Sequence, residues 1–377
     1  MVYVDVSPDV LQWAAGRSDP ERIRERYPNL DKWRSMEKKP TLKQLEDYSR
    51  STHTPIGYFF LKKPPVIEVP IPDLRTIASR TMKRPSPDMI DTIHLCQQRQ
   101  EWYQGFARRN GLPDPDMVGC ASIDDDVAKL AKVVRRRMGF AEGEFPEVST
   151  WTEGLSLYIE RVEALGILVM LSGVVGSNNR RKLDPEEFRG FALMDDHAPL
   201  IFINGSDTKA AQTFTLMHEL AHILIGEGGV SDEIMGRDQE VHIEKWCNEC
   251  AAEILVPEEM LNDIFDEKAD LEEEANRMAR KFKVSTLVIL RRLLDIRKID
   301  QERYRDQFNN SMEKFKDAAS GQGGNFYHTT NTRIGKRFAR ALISSTLEGQ
   351  TLFKDAFRMI GISKISTFEE IGRRLGV

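Results

Sequence analysis

The chain has 377 residues, of which 40% are hydrophobic and 30% are charged, and its formal net charge is −5. This length suffices for two or more domains, and the acidic balance argues against a surface that coats nucleic acid. Four cysteines are too few and too unevenly spaced for a disulfide framework. No run approaches 18 apolar residues and the N-terminus lacks a basic and then apolar signal, so we expect a cytoplasmic protein without a membrane partner.

Residues 1–65 are predicted to form a separate helical domain. Residues 31–45 resemble the C-terminal half of phage-repressor-type helix-turn-helix domains. The pattern is degraded, because Arg34 follows Trp33 and Lys38 stands where glycine is usual. The domain has 12 Lys and Arg against 9 Asp and Glu, which is only mildly basic for a surface that must contact phosphates. We therefore favour a protein-docking or structural role here, with DNA as the less favoured partner.

Residues 66–125 are predicted to hold an extended, proline-rich linker and further helices. The next domain, residues 126–300, contains segments typical of strands. Residues 166–171 form a short apolar run that indicates a buried strand, and residues 188–194 and 199–204 flank a plausible hairpin turn.

Two expectations concern the second strand of this hairpin and the residues after it. The strand at 199–204 is either an edge strand, along which a substrate would align as an added strand, or an internal strand of the sheet. Ser206 or Asp207 is expected to N-cap the helix that comes next, because both side chains accept hydrogen bonds from helix N–H groups.

That helix carries the most informative motif of the chain, His218-Glu219-Leu220-Ala221-His222, which is H-E-x-x-H. Residues four apart lie on one face of a helix, so the two imidazoles form half of a tetrahedral zinc site. Glu219 lies beside them and can act as general base on water. The apolar run from Phe214 to Ile225 predicts a buried helix, in which such polar side chains need partners or a metal. The motif predicts a zinc peptidase.

A zinc peptidase also needs a third protein ligand and an open fourth position. A second predicted helix, residues 241–256, is stopped by Pro257. Glu244 shares one face of this helix with small residues that would let the two helices approach closely. Helical phase favours Glu244 as the third ligand, while Glu249 and Glu253 remain alternatives. Glu253 would also suit a partner for the second nitrogen of a ligand imidazole.

Other polar residues near these helices have simpler interpretations. His242 is a candidate ligand or oxyanion donor, but a solvent-facing position at the start of a helix explains it more simply. Tyr327 and His328 are further candidate oxyanion donors. Cys247 and Cys250 form C-x-x-C, which is more simply explained by packing within the helix than by redox chemistry or a second zinc site.

The two helices together resemble the ImmA/IrrE family of metallopeptidases, in which H-E-x-x-H is followed by E-x-x-C/A-N-x-x-A-A-x-x-L-x-P. The resemblance covers residues 126–300 and implies an α+β fold with a zincin-like core, a small mixed sheet plus the H-E-x-x-H helix, between helical N- and C-terminal domains. It implies Zn²⁺ as cofactor, His218, His222 and Glu244 as metal ligands, and Glu219 as the catalytic base.

The resemblance also implies a function. Members of the family often accompany phage, mobile-element or stress-response genes, and several are thought to cut a repressor encoded next door. The expected activity is therefore zinc-dependent endopeptidase cleavage of a specific intracellular protein, a helix-turn-helix repressor or an antitoxin. The alternative is a non-enzymatic DNA- or protein-binding regulator with a structural or latent zinc site, which a closed set of four ligands would favour.

Residues 301–377 are predicted to form a helical C-terminal domain beyond a flexible joint at 318–325. Apolar residues at helical spacing indicate three amphipathic helices there, around Phe338, Phe357 and Phe368. We assign no chemistry to this domain, which would suit recognition of a substrate or partner.

Overall fold

The computed structural model describes residues 2–66, 85–226, 237–317 and 332–377, with the backbone alone for 237–240 and 312–317. Within these ranges the protein is mostly helical and has one three-stranded sheet, so the predicted α+β class is confirmed. The chain divides into two compact units. Of the described residues, the first unit holds 2–66 and 85–91, and the second unit holds the rest.

The first unit is helical and has its own apolar core. The best-defined helix start in this unit is that of α4 (Leu42–Ser51). The Thr41 hydroxyl accepts a hydrogen bond from Gln44 N, and Gln44 Oε1 accepts one from Thr41 N, which is a capping box. Tyr48 lies at the centre of the core and donates to the Leu11 carbonyl at 2.8 Å. Its helices are α1 (Pro8–Ala15), α2 (Pro20–Arg26), α3 (Leu30–Arg34), α4 (Leu42–Ser51) and a 3-10 helix (Ile56–Phe60).

The remaining helices include all those predicted around the H-E-x-x-H motif and in the C-terminal segment. They are α5 (Pro87–Arg109), α6 (Val127–Arg137), α7 (Trp151–Ala164), α8 (Lys209–Ile225), α9 (Arg237–Leu255), α10 (Glu258–Ile264), α11 (Leu271–Phe282), α12 (Thr286–Asp295), α13 (Gln301–Asp317), α14 (Lys336–Leu347), α15 (Phe353–Ile360) and α16 (Ile365–Leu375). Among the helices that the structure describes, none is both long and apolar enough to cross a bilayer. The expected joint at 318–325 lies outside the described residues, as do Tyr327 and His328.

The sheet consists of β1 (Leu168–Ser172), β2 (Gly190–Leu193) and β3 (Leu200–Asn204) in the order β1-β3-β2. β2 and β3 are antiparallel, which confirms the predicted hairpin, and β1 runs parallel to β3. β3 therefore lies in the centre, and the interpretation of 199–204 as an edge strand is wrong, because β1 occupies its second side. All residues of β1 and β2 are buried, so neither of these strands offers an open edge in the described structure.

The core of the second unit forms where helices cover this sheet. α8 packs against α7, α9, β2 and β3, and α9 also packs against α6. Since α8 is enclosed on most sides, its apolar residues are buried almost all round. The fold thus places the H-E-x-x-H helix at the centre of the unit, with α9 as its closest helical neighbour.

Candidate metal centre

Both ends of α8 are fixed by neighbouring chain segments. It begins at Thr208, whose hydroxyl accepts a hydrogen bond from Ala211 N at 3.3 Å, so the expected N-cap at Ser206 or Asp207 is wrong. The reason is that the Ser206 hydroxyl donates to the Gly173 carbonyl, while the Asp207 carboxylate accepts from Thr208 N. These tertiary and local contacts remove both side chains from the capping position.

The C-terminal end of α8 is sealed by an upstream segment. Gly226 ends the helix with φ +71°, and Gly119 N donates to the Ile223 carbonyl at 3.0 Å. Ala121 N donates to the Leu224 carbonyl at 2.9 Å. A methyl group built on Gly226 would lie 3.0 Å from Gly119 Cα, so the close approach requires glycine. Two carbonyls of the last turn are thereby satisfied, and the helix that carries the two histidines is held in place at this end.

His218 and His222 on α8 and Glu244 on α9 bring three ligand atoms together. The two imidazole Nε2 atoms are 3.2 Å apart, and the Glu244 carboxylate oxygens lie 3.5 Å from His218 Nε2 and 3.4 Å from His222 Nε2. Tetrahedral zinc with bonds of about 2.0–2.1 Å needs ligand atoms roughly 3.3–3.4 Å apart. The donor types and their separations fit Zn²⁺. Among the described residues, this is the one cluster of three His, Cys, Asp or Glu side chains that could hold a metal ion.

Electrostatics at this cluster favour a cation. Burial raises the pKa of Glu244, but hydrogen bonds with His218 and His222 outweigh burial and hold that pKa below its ordinary value. Burial lowers the pKa of His222, but hydrogen bonds with Cys247 and Glu244 outweigh it and raise that pKa well above the ordinary value. The result is an ionised carboxylate held against two imidazoles. A divalent cation would complete this arrangement by displacing the imidazole proton.

Glu219 follows His218 on α8, and its side chain lies between α8 and β2. The residue is buried, and its charge contributes to the raised pKa of His222. A methyl group built on Gly190 of β2 would lie 3.3 Å from Glu219 Oε1 and 2.8 Å from the Phe202 carbonyl oxygen. Glycine at 190 therefore leaves the space that the Glu219 carboxylate occupies. No sequence signal indicated this contact, because it depends on how β2 packs against α8.

The other candidates from the sequence lie elsewhere. Glu249 pairs with Lys245 at 3.7 Å on the surface of α9, and Glu253 pairs with the buried guanidinium of Arg292. His242 is exposed and outside the cluster. Of the three carboxylates considered on α9, only Glu244 therefore lies beside the two imidazoles.

Cys247 was interpreted from sequence as a packing residue, and the structure adds a contact to that role. Both Cys247 and Cys250 are free and buried within α9. The Cys247 thiol also forms a hydrogen bond with His222, although burial still raises the pKa of the thiol. Its position three residues after Glu244 was the available signal, because it puts both side chains on the face that meets α8.

Comparison with known proteins agrees with this geometry. Residues 162–294 match the model of a peptidase family described as IrrE N-terminal-like domain, and this range contains α8, α9 and all the residues of the cluster. The chain is also 31% identical over 121 residues to the radiation response metalloprotease IrrE of Deinococcus radiodurans. Residues 334–374, which include the whole of α14 and α15 and nearly all of α16, match a second family described as a domain of unknown function (DUF8813).

The cluster and these matches support a metallopeptidase-like domain at residues 162–294. This part of the chain is similar to the ImmA/IrrE family, as its two helix motifs indicated. The alignment with the Deinococcus protein covers 31% of this chain and 36% of that protein, so the chain spans about a third of the length of the curated relative that it matches.

Proposed function

We propose that this chain is a zinc-dependent endopeptidase with a zincin-like core. The observation that supports the proposal is the convergence of His218, His222 and Glu244 at separations suited to zinc, with Glu219 on the same helix. Three protein ligands leave a fourth position for water or substrate, which is the arrangement of catalytic rather than structural zinc sites. This favours the enzyme over a regulator with a closed metal site.

Each residue has a distinct role in the proposed reaction. His218, His222 and Glu244 would hold Zn²⁺, which when bound supplies Lewis-acid activation of water and of the scissile carbonyl. Glu219 takes the proton from the attacking water and delivers it to the leaving amine. Its burial between α8 and β2 fixes the carboxylate in one orientation, so that less reorganisation is needed during the reaction.

A peptidase acts on a protein substrate, and we infer that this one acts on a specific intracellular protein. A helix-turn-helix repressor or an antitoxin encoded by a neighbouring gene is the class that the family resemblance favours, which would make the enzyme cytoplasmic. The mildly basic first unit would dock such a partner, in preference to DNA.

Replacing the general base tests the enzyme assignment. The full-length Glu219→Gln variant should bind zinc as the wild type does, because Glu219 is not among the three proposed ligands. Its rate of cleavage of the neighbouring-gene repressor should fall roughly 100- to 10,000-fold, the usual contribution of a general base. Zinc content is measured by elemental analysis, and cleavage by electrophoresis and mass spectrometry of the products.

The matched control is Glu273→Gln, the same change at an exposed position in the first turn of α11. This variant should cleave at the wild-type rate. Undiminished cleavage by Glu219→Gln would show that the assignment of the base, and with it the proposed mechanism, is wrong.

A further inference from the structure

A cleft of about 800 Å³ adjoins the metal centre. Helices α8, α9 and α12 form its walls, and Glu244 lies on its lining. Phe214 lines it too, with its ring stacked on the His218 imidazole at 6.5 Å between centroids. The cleft therefore continues directly from the cluster, and a polypeptide whose scissile bond lay at the metal would place neighbouring side chains in it.

Each of the three helices contributes apolar side chains to the walls of the cleft. Phe214 from α8 and Ala252 from α9 face it, and α12 contributes Leu287 and Val288. Phe214, Leu287 and Val288 are only partly buried, so apolar surface remains available in the cleft. Covering apolar surface of this kind with an apolar substrate side chain stabilises the complex, because both surfaces leave water.

Among the residues that line the cleft, each lysine or arginine is paired with a carboxylate. Lys245 pairs with Glu249 at 3.7 Å, Arg291 with Asp295 at 2.9 Å, and Arg189 with Asp207 at 3.6 Å. Each cation on this rim thus has a carboxylate partner. A charged substrate side chain would therefore find no unpaired opposite charge among these residues, and it would lose its hydration on entering the cleft.

Within the described residues, the sheet shows no open edge that could take up a substrate strand. β1 and β2 are buried along their whole lengths, and β3 lies between them. Addition of a substrate strand to this sheet would require prior movement of the groups that cover its edges, whereas the cleft is already present.

We propose that this cleft is the specificity subsite of the enzyme, and that it receives a bulky apolar side chain of the substrate next to the scissile bond. The inference rests on the proposed function and names a determinant of its substrate class. α12 sets the selectivity, because Leu287 and Val288 form the wall that faces α8 and α9 across the cleft.

Binding of chelating probes tests the subsite without requiring cleavage. Short peptides that carry a zinc-binding hydroxamate beside Leu, Phe, Ala, Lys or Glu are titrated calorimetrically into the zinc-loaded full-length protein. The Leu and Phe probes should bind at least about 10-fold more tightly than the Ala, Lys and Glu probes, since a single methylene in an apolar pocket discriminates by roughly 10- to 200-fold. Equal affinity for Lys or Glu and for Leu would overturn the inference.

Two substitutions in α12 locate the effect. Val288→Phe fills the cleft and should lower the affinity of the Leu and Phe probes about 10-fold or more. The affinity of the Ala probe should stay unchanged. Val288→Ala widens the cleft without a steric clash and should raise the affinity for Phe relative to Leu. The control is Val133→Phe, which adds the same ring at a position on α6 that is 48% exposed and outside the cleft.

The outcomes separate this inference from the proposed function. If neither Val288 substitution changes the order of probe affinities, the proposed subsite is contradicted, even if protein substrates are cleaved. The expected order and shifts without any cleavage by the wild type would contradict the endopeptidase assignment and leave the subsite standing as a binding site.

Discussion

Glu244 differs from the other carboxylates of α9 in its partners. Glu249 is paired with Lys245 at the surface, and Glu253 is paired with Arg292 in the core. Glu244 instead faces two imidazoles at 3.4 and 3.5 Å. Because only Glu244 has this pair of nitrogen neighbours, the three carboxylates predict different consequences when each is removed.

We expect Glu244→Ala to weaken zinc binding by at least about 100-fold, because even partners outside the coordination shell contribute roughly 10- to 100-fold to metal affinity. Glu249→Ala, the same truncation five residues later on the same helix, should leave zinc affinity unchanged. Competition with a chromophoric chelator measures both affinities. Equal losses in the two variants, or no loss in Glu244→Ala, would exclude Glu244 as a ligand.

At the scale of elements, α9 is held in register by a buried ion pair. The Arg292 guanidinium on α12 pairs with Glu253 and also donates to the Val256 carbonyl at 3.2 Å. The second carboxylate oxygen of Glu253 accepts a hydrogen bond from Glu258 N at the start of α10. One pair of side chains thus joins α9, α10 and α12, and it fixes the helix that carries Glu244 relative to the wall of the cleft.

Breaking this pair on one side should destabilise the protein strongly. Arg292→Leu leaves the Glu253 carboxylate buried without its counter-charge, and the expected loss is about 3–5 kcal/mol in the free energy of unfolding. The double variant Glu253→Leu, Arg292→Leu should be more stable than Arg292→Leu, because no unpaired charge remains. Thermal melting of the variants measures the difference, and a double variant that melts below the single one would contradict the argument.

Local sequence patterns predicted the elements better than the contacts between them. The apolar run around His218 predicted a buried α8, and helical phase predicted which face of α9 carries Glu244, since both depend on spacing within one helix. The position of β3 was not predictable, because strand order depends on where β1 pairs. Ser206 failed as a cap for the same kind of reason, as its hydroxyl bonds to Gly173 on another segment.

At the scale of the whole second unit, the C-terminal helices join the peptidase core through α7 and β1. α14 packs against β1. At the start of α14, Arg337 N donates to the Glu163 carboxylate at 3.0 Å and the Arg337 guanidinium donates to the Glu163 carbonyl at 3.2 Å. Burial raises the pKa of Glu163 to about 7 in spite of these hydrogen bonds and the neighbouring cations. Docking of α14 therefore involves a carboxyl group that titrates near neutral pH.

This raised pKa predicts a pH dependence of stability. Below the ordinary value of 4.5 the group is protonated in both states, so it imposes no penalty. As pH rises from there to about 7, the unfolded state loses a proton that the folded state keeps, and stability falls. Glu163→Gln should remove this pH dependence. The difference in melting temperature between the variant and the wild type should therefore grow in favour of the variant from about pH 5 to pH 8, by an amount equivalent to at most about 3 kcal/mol.

Glu160→Gln is the matched control, because Glu160 lies one turn earlier on α7 and pairs with Lys336 at the exposed surface. Exposed pairs contribute about 0–1 kcal/mol, so this variant should follow the wild-type profile. Parallel profiles for Glu163→Gln and the wild type would show that Glu163 is ionised in the folded protein at neutral pH.

The segment that caps the C-terminal end of α8 contains a native thiol suited to chemical labelling. Gly119 and Ala121 bond to the last turn of the helix, and Cys120 between them is exposed, whereas Cys96, Cys247 and Cys250 are buried. A maleimide dye would therefore react at a single native thiol. That thiol lies in a segment hydrogen-bonded to the helix that carries both histidines. A change in its emission on addition of a metal ion would report a rearrangement at this end of α8, with no engineered cysteine required.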